Sequence, residues 1–552
     1  MVDLFLPIFA AAVAAAAVAG SVRLLVHFQK PEDSGFKSGL LCKVIVVASL
    51  TLSWLIVLLL PLDVRNSRPV PGIPGLMLVV WRVGFALAAA FAVIFVPAAS
   101  FYDEVEDDDT VPRKCRYVLC RMASLFFFVA CAVGISYPFL SDVAVPVEQY
   151  SCDAWLDAGD LDGSDIKLCK ASVPAHIRAK ADVEVYLIAL LCFAGWLLLS
   201  VFGGIGLVSA PLDLVMAFVD RPRPVDERTY QQRRQLLGSA AQAMLRHSEA
   251  LQQQDADLAE QTGWSARRRR RHLGTEYNKF KRDIRLLEDE FERLRISKFE
   301  RGENLAVSCT KLALGVTFAI ISLAWVSHIA LYVLIAPRGK PASVWLNWLL
   351  ELFEHPGLYP IGVAIFACFS LYLLLCVVAG CLKFGMRFFC VFSIHPMRYK
   401  ETPLSSVLFN VELVLVSSVA VAQFVQEAFA DYTRLTDADA LFHAQIRYLK
   451  CFGWFFKTNF FVYLLVGVAL VALGYLTGRP RDRGEVGLDQ KSAERLEAIA
   501  EGSVEKGSSS SGRHWPWGSK RRMSRAEGAE VAAAAPAAPR AGVIAAPAGS
   551  MV

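Results

Sequence analysis

Motifs that mark enzymes and metal sites are missing from this sequence. It has no P-loop, Gly-x-Ser-x-Gly elbow, His-Glu-x-x-His motif, EF-hand loop or dinucleotide fingerprint. Its 13 cysteines form neither a Cys-x-x-Cys pair nor a zinc-spaced cluster with histidine. Gly203, Gly204 and Gly206 resemble a phosphate loop, but no strand precedes them and no lysine follows, so we interpret them as close helix packing or a kink. We predict a protein that is not an enzyme and uses no metal or cofactor.

Charge is also scarce. Charged residues make up 20% of the 552 residues, hydrophobic residues 55%, and the mean hydropathy is +0.42. A net charge of +5 over this length does not indicate a nucleic-acid partner. The apolar residues occur in blocks of about 20, which is the length that crosses ~30 Å of hydrocarbon as a helix. Because the backbone must satisfy its own hydrogen bonds in lipid, these blocks predict an all-α polytopic membrane protein.

The apolar blocks predict nine transmembrane helices. They lie near residues 4–26, 40–60, 76–97, 118–140, 184–208, 309–335, 359–382, 404–426 and 459–477. The first block follows Met1-Val2-Asp3 without a positive charge and is too long for the apolar region of a signal peptide, so we expect a retained helix.

The distribution of Lys and Arg predicts the orientation. Short loops with Lys and Arg follow the third, seventh and ninth spans, and the long basic segment 210–306 lies on the same side by parity. We therefore predict an outside or lumenal N-terminus and a cytoplasmic C-terminus. The acidic loop 142–182 then lies outside, where Cys152 and Cys169 are candidates for a disulfide if the compartment is oxidising.

Four regions follow from this layout. Residues 1–209 hold the first five spans with the outer loop, 307–478 hold the last four, and 479–552 form a tail whose Ala, Ser, Pro and Gly content predicts disorder. Residues 210–306 contain two stretches of heptad-spaced apolar residues and predict a cytoplasmic antiparallel helical hairpin. The heptad positions are Tyr230, Leu237, Met244, Leu251 and Leu258, and then Tyr277, Phe280, Ile284, Leu287, Phe291 and Leu294.

Two basic clusters are candidates for binding a partner or a membrane. Five arginines near the predicted hairpin tip favour either a solvated basic end or docking of an acidic partner; they are Arg267, Arg268, Arg269, Arg270 and Arg271. In the tail, Trp515 and Trp517 precede Lys520, Arg521 and Arg522, a pattern that suits an anionic membrane surface. Phosphorylation of Ser524 would weaken such binding.

Polar residues inside the spans are costly and predict function. At 1.5 Å per residue, Arg82, His328 and Gln423 lie near the outer third of their helices, and Asp63 ends the second span on that side. We predict an outward-facing ligand cavity lined by these four, with Glu412 as a separate inner site. In the alternative interpretation, Arg82 extends to the interface and His328 bonds a neighbouring helix.

Six segments occur in a fixed order relative to the spans. They are LLPLDV at 59–64, FVPAASFYDE at 95–104, FGGIGLVSAPL at 202–212, ISLAWVSHIALYVLI at 321–335, SIHPM at 393–397 and FNVELVLVSSVAVAQF at 409–424. Together they resemble the limb-region and lipocalin-interacting membrane receptor (LIMR-type) family, which includes lysosomal proteins implicated in cobalamin export. The resemblance covers roughly residues 1–478.

This resemblance implies nine membrane helices, a receptor or transport role, and residence in the plasma membrane or in lysosomal and endosomal membranes. Two functions remain open. One is a receptor or trafficking scaffold that binds a small-molecule or protein ligand outside and recruits cytoplasmic partners through the hairpin. The other is a transporter, or a transport subunit, for a cobalamin-like solute.

Overall fold

The structure is a computed structural model that describes most of the chain up to Gly478. The described residues are 5–30, 39–66, 76–105, 111–151, 170–259, 264–299, 304–335, 340–353, 359–383, 387–388, 392–393, 397, 402–434, 436–442 and 446–478.

Nine helices in the described residues are long and apolar enough to cross a membrane, which confirms the predicted all-α polytopic class. The helices of the spans are α1 (Phe5–Phe28), α2 (Leu40–Asn66), α3 (Leu76–Ala90) with α4 (Val96–Asp103), α5 (Val111–Leu140), α6 (Val183–Leu198) with α7 (Gly204–Val219), α10 (Leu305–His328), α12 (Tyr359–Lys383), α13 (Leu404–Ala428) and α17 (Phe460–Thr477). The fifth span extends further than predicted, because α7 continues through Pro211 to Val219.

Three of the spans contain a π-helical turn. These turns are Phe91–Phe95 between α3 and α4, Leu199–Gly203 between α6 and α7, and Ile329–Leu334 after α10. A π-helical turn inside an α-helix is rare and is often found at functional sites. All three turns contact α13, which also packs against α2, α4, α6 and α12. Helix α13 is therefore the central helix of the membrane bundle.

Glycines allow the helices around α13 to cross with their backbones in contact. A Cβ placed on Gly206 would lie 1.7 Å from the Cys376 carbonyl oxygen, and one on Gly380 would lie 2.1 Å from that of Phe202. A Cβ on Gly195 would lie 2.4 Å from the Val416 carbonyl oxygen. The predicted close packing of the Gly203–Gly206 region thus has a geometric basis at Gly206, where only a hydrogen fits.

The loop after α5 contains an antiparallel β-ribbon, an element that the sequence analysis did not predict. Strand β1 (Asp142–Ser151) pairs with β2 (Lys170–Lys180), with Val145 opposite Ile177. A second, very short pair joins β3 (Arg387–Phe388) to β4 (Phe392–Ser393).

Residues 429–459 join α13 to α17, and most of their described residues lie in short helices or turns. They contain α14 (Ala430–Thr433), α15 (Asp437–Phe442), a 3₁₀ turn (Ile446–Tyr448) and α16 (Phe452–Lys457). This 429–459 segment contacts the β-ribbon through a bridge between Val143 and Leu449 and a 2.9 Å hydrogen bond from Lys450 N to Asp142 O. Another short helix, α11 (Trp345–Leu352), precedes α12 and packs against α14.

Two long helices, α8 (Glu227–Ala259) and α9 (Trp264–Phe299), follow α7, and most of their length forms a unit of its own, Gln231–Phe291. Within that unit the His247 and Phe280 rings lie 5.5 Å apart, and Arg270 Nη2 donates a 2.7 Å hydrogen bond to Leu258 O. The contact that lies further along α8, at Leu258, lies earlier along α9, at Arg270, as in an antiparallel pair.

The two helices bury different kinds of residue. Helix α8 buries the apolar heptad positions Leu237, Met244, Leu251 and Leu258. Helix α9 buries Asp283 and Glu290 beside the apolar heptad position Leu294, whereas Tyr277 is 44% exposed and Phe291 57% exposed. The predicted apolar seam of α9 is therefore only partly buried. The helix is rotated so that Asp283 is more deeply buried than Ile284, and Glu290 is buried while Phe291 is exposed.

Candidate functional site

Asp63 lies near the end of α2 and is almost completely buried, with 1% of its surface exposed. Its Oδ2 accepts hydrogen bonds from Trp81 Nε1 at 2.8 Å and from Ala438 N at 2.9 Å, and its Oδ1 accepts one from Asp437 N at 3.3 Å. A buried carboxylate needs such donors, because desolvation without them is costly. Asp63 therefore fixes the first turn of α15 against α2 and α3.

A second carboxylate strengthens the same junction. Asp437, at the start of α15, accepts a 3.0 Å hydrogen bond from Leu78 N in α3 through its Oδ2. The backbone amides at the beginning of a helix have no partner within that helix. Asp437 satisfies such an amide in α3, while Asp63 satisfies two in α15. Asp63 of α2 thus holds the start of α15, and Asp437 of α15 holds the start of α3.

Arg82 does not take part in this junction. Its neighbour Trp81 is fully buried and stacks on Phe85 at 5.3 Å, whereas Arg82 is exposed. Successive residues on a helix are about 100° apart, so a buried Trp81 places Arg82 on a different face.

His328, the last residue of α10, is fully buried. Its Nε2 lies 2.8 Å from Ala428 O at the end of α13. Because a carbonyl oxygen only accepts, Nε2 carries the proton, and in the neutral ring Nδ1 is an acceptor. Nδ1 has no hydrogen-bond partner among the described residues. The ring lies between Phe429 and Tyr332, at centroid distances of 5.0 and 5.1 Å.

Further polar groups lie close to His328. The Tyr332 hydroxyl, in the π-helical turn after α10, is beside the side chains of Asp431 and Asn347. Asn347, in α11, is 1% exposed, and among the described residues neither its Oδ1 nor its Nδ2 makes a hydrogen bond. Buried amide groups without partners are uncommon in native structures. His328, Tyr332 and Asn347 therefore form a second polar group, separate from the Asp63 junction.

Gln423 belongs to a third polar group, in the second half of α13. Its Oε1 accepts a 2.8 Å hydrogen bond from Trp196 Nε1 in α6. It also lines a cavity of about 10 Å³, roughly the space for one water molecule. The other residues that line this cavity are Glu427, Phe442, Arg447 and Phe456. Arg447 Nη1 lies 3.3 Å from Glu427 Oε1, so an ion pair borders the cavity.

Of the four residues predicted to line one cavity, only Gln423 lines this one, and the separate candidate Glu412 does not line it. Asp63 and His328 bond to different parts of the 429–459 segment and its junction with α13, and Arg82 is exposed. A single outer cavity shared by all four outer residues stays a prediction.

Glu412 lies on α13, eight residues from its start at Leu404, which corresponds to about 12 Å along the helix. It is half-buried and, within the described part of the chain, has no hydrogen bond or ion pair. The other three polar groups lie toward the opposite end of α13, so Glu412 is a separate position.

Several predicted sites fall wholly or partly outside the described residues. Cys152 and Cys169 lie outside them, as do Lys520, Arg521, Arg522 and Ser524. In the arginine run, Arg269 and Arg270 are exposed on α9, while the side chains of Arg267, Arg268 and Arg271 are outside the described set.

The partners that give these polar groups their positions were not predicted from the sequence, above all Trp81, Trp196 and Arg447. A signal was available for the two tryptophans, since an indole N–H inside a span requires an acceptor nearby. Which acceptor it meets depends on helix rotation, and a helical sequence pattern alone does not fix this.

Comparison with known proteins agrees with this architecture. The family model described as LMBR1-like membrane protein matches residues 4–294 and 277–474. A LIMR family protein of Dictyostelium discoideum is 30% identical over 88% of this chain and 99% of its own length. A LIMR family protein of Oryza sativa is 30% identical over 85% and 95%, and one of Arabidopsis thaliana is 28% identical over 87% and 98%. No solved structure matches the chain.

The family model covers nearly all of the membrane bundle and the two long helices between α7 and α10. The relatives are matched over almost their full length. The resemblance seen in the six sequence segments is thereby confirmed. This integral membrane protein belongs to the LMBR1-like (LIMR) membrane protein family.

Proposed function

We propose that the chain is a multi-pass membrane receptor or trafficking scaffold. In this proposal an outer or lumenal ligand binds near the β-ribbon and the 429–459 segment, and cytoplasmic proteins bind the α8–α9 helices. The N-terminus is outside and the C-terminus cytoplasmic. The protein performs no catalysis, needs no cofactor and resides in the plasma membrane or in lysosomal or endosomal membranes.

The observation that carries the proposal is the pair of long polar helices. Helices α8 and α9 contain 33 and 36 residues, which is more than a simple carrier needs to connect two spans. A helix of 33 residues is about 50 Å long. Such a structure offers a large cytoplasmic surface for partner proteins.

The close backbone contacts of the bundle support the same proposal. Gly206 and Gly380 hold the α7 region against α12, and Ser322 Oγ lies 2.6 Å from both Leu207 O and Tyr372 Oη, joining three spans. Well-packed interfaces of this kind do not deform continuously, so they make the bundle rigid. A rigid bundle suits a protein that displays binding surfaces on two sides.

A transporter, or a subunit of one, is the second candidate, with a cobalamin-like solute suggested by the family resemblance. Glu412 favours it, because an ionisable residue within a span requires a reason and often belongs to a solute or proton pathway. The three π-helical turns against α13 favour it as well, since such turns allow local helix rearrangement.

Deletion of residues 226–301 distinguishes the two candidates. In a scaffold the deletion abolishes recruitment of cytoplasmic partners, and Glu412→Gln leaves recruitment unchanged. In a carrier reconstituted in vesicles, the deletion spares solute flux while Glu412→Gln reduces it. Recruitment that persists without 226–301, with the deleted protein correctly inserted, would contradict the scaffold proposal.

A further inference from the structure

Helix α9 has an apolar stripe that α8 does not cover. Tyr277, Ile284 and Phe291 recur every seventh residue and therefore lie along one side of the helix. Tyr277 and Phe291 are 44% and 57% exposed, and Ile284 is half-buried. The side that packs against α8 holds Asp283 and Glu290 as well as Leu294. Helix α9 thus leaves an apolar stripe accessible beside its buried side, a pattern that suits a further helix.

The charge around the stripe changes along its length. Residues 264–285 of α9 contain nine Lys and Arg and only two Asp and Glu, whereas residues 286–292 contain four Asp and Glu and no Lys or Arg. Lys281, which is exposed, and Arg285, which is half-buried, flank the stripe one helical turn after Tyr277 and just after Ile284. A segment that covers the Tyr277–Arg285 part of this stripe should therefore be acidic as well as amphipathic.

The tail of the same chain contains a segment with this chemistry. In residues 492–505, Leu496, Ile499, Ala500 and Val504 fall on one side of a helical projection. Glu494, Glu497, Glu501 and Glu505 fall together beside them, and Arg495 is the only basic residue. Ser492 provides a favourable N-cap with Glu494 in the first turn. The thirteen residues after Ser492 would form a helix about 20 Å long. The stripe from Tyr277 to Phe291 has about the same length.

Chain topology brings the two together. The four spans that begin at α10, α12, α13 and α17 lie between α9 and the tail, and an even number of crossings returns the chain to the side it left. This holds for either orientation of the protein. Residues 479–490 can extend over up to about 45 Å, and Phe291 precedes the first residue of α10 by fourteen positions.

We propose that residues 492–505 dock in cis, as an acidic amphipathic helix, on the Tyr277–Ile284–Phe291 stripe of α9. A segment that orders only on binding pays the entropy of folding at that moment, so the contact is moderate in strength and reversible. One consequence rests on the proposed function. If partners use the α8–α9 helices, the tail competes with them for this stripe.

The test uses purified chains in neutral nanodiscs and a labelled peptide of residues 491–506. We expect the peptide to bind a chain that ends at residue 490 at least tenfold more tightly than the full chain. A chain that ends at residue 507 keeps the segment and should resemble the full chain. Replacing the four glutamates of the peptide with glutamine should weaken binding at least tenfold, which tests the charge complementarity without altering the protein.

Matched variants locate the surface. In the chain that ends at 490, Tyr277→Ser with Phe291→Ser should weaken peptide binding at least tenfold. Leu245→Ser should leave it unchanged, since Leu245 is an apolar residue of α8 that is 66% exposed and lies outside the stripe. All three residues are largely exposed, so these substitutions preserve the packing of α8 on α9.

Five results would overturn the proposal. Four of them are equal peptide binding to the full and shortened chains, no binding to either, equal loss with Leu245→Ser, and protection of the stripe from hydrogen exchange that rises with protein concentration. The last result would mean that a second copy supplies the segment. If vesicles containing phosphatidylserine bind the stripe in preference to the peptide, the surface contacts a membrane and the proposal is wrong. None of these measurements depends on partner recruitment, so this proposal and the scaffold proposal can fail separately.

Discussion

Trp196 and Gln423 are 227 positions apart in the chain, and their side chains share a 2.8 Å hydrogen bond between Nε1 and Oε1 inside the membrane bundle. The bond joins α6 to α13. The Trp196 ring also packs edge-on against Phe424 at 5.3 Å and stacks on Phe461 at 5.6 Å. One residue of α6 thus holds both the central helix and the start of α17.

We expect Gln423→Leu and Trp196→Phe each to lower the thermal stability of the purified protein. Each leaves a buried partner unsatisfied, at a cost of about 1–3 kcal/mol. The double variant should lose less than the sum of the two, because neither polar group then remains. Unfolding in detergent, followed by fluorescence, measures this. Strictly additive losses would show that the bond adds nothing to the packing.

Asp63→Ala should also destabilise the protein. It removes the acceptor of two hydrogen bonds shorter than 3.0 Å, leaving the amide of Ala438 and the indole of Trp81 unsatisfied, at about 1–3 kcal/mol each. Hydrogen exchange of residues 436–442 should increase. Arg82→Ala is the control, since Arg82 is exposed and should change neither property. Equal effects of the two substitutions would contradict the placement of Arg82 outside the junction.

Gly206→Ala should be poorly tolerated. The new Cβ would meet the Cys376 carbonyl oxygen at 1.7 Å, so α7 and α12 must separate, and overpacking of this kind costs about 1–3 kcal/mol or more. Gly467→Ala in α17 is the matched control, because nothing lies within 4 Å of its Cβ position. We expect a reduced yield of monodisperse protein in size-exclusion chromatography for Gly206→Ala alone.

Leu251→Ala should loosen the α8–α9 pair. Leu251 is 7% exposed, and truncating a buried leucine costs about 2–5 kcal/mol. Faster hydrogen exchange in both helices would report the change. Leu245→Ala removes the same atoms from an exposed position of the same helix and should have an effect within about 0.5 kcal/mol of zero. If both variants exchange at the wild-type rate, Leu251 does not pack against α9.

The sequence predicted the spans well because their signal is local. An apolar run of hydrocarbon length must be helical in lipid, whatever its neighbours are. The β-ribbon was missed although Val143, Val145 and Val147 alternate as in a strand. Pro146 and Pro174 argue against strands in general, but in a two-stranded ribbon each strand is an edge, where proline is tolerated.

The candidate site was predicted only in its individual members. Asp63, His328 and Gln423 are buried polar residues, as their place within the spans suggested, but their partners come from Trp81, Ala428 and Trp196. Those pairings depend on how helices rotate and pack. The same limit applies to α9, where two overlapping heptad faces share Phe280 and Leu287, and the pattern does not say which face meets α8.

The π-helical turn at Leu199–Gly203 sets the rotational phase of everything after it in the fifth span. Each residue advances an α-helix by about 100°, so deleting one residue from the turn would swing Gly206 about a quarter of a circle away from Cys376. A bulkier side chain would then face α12 at the crossing. Single-residue length changes here are therefore far more disruptive than most substitutions, and the spacing between Trp196 and Gly206 should be as constrained as the residues themselves.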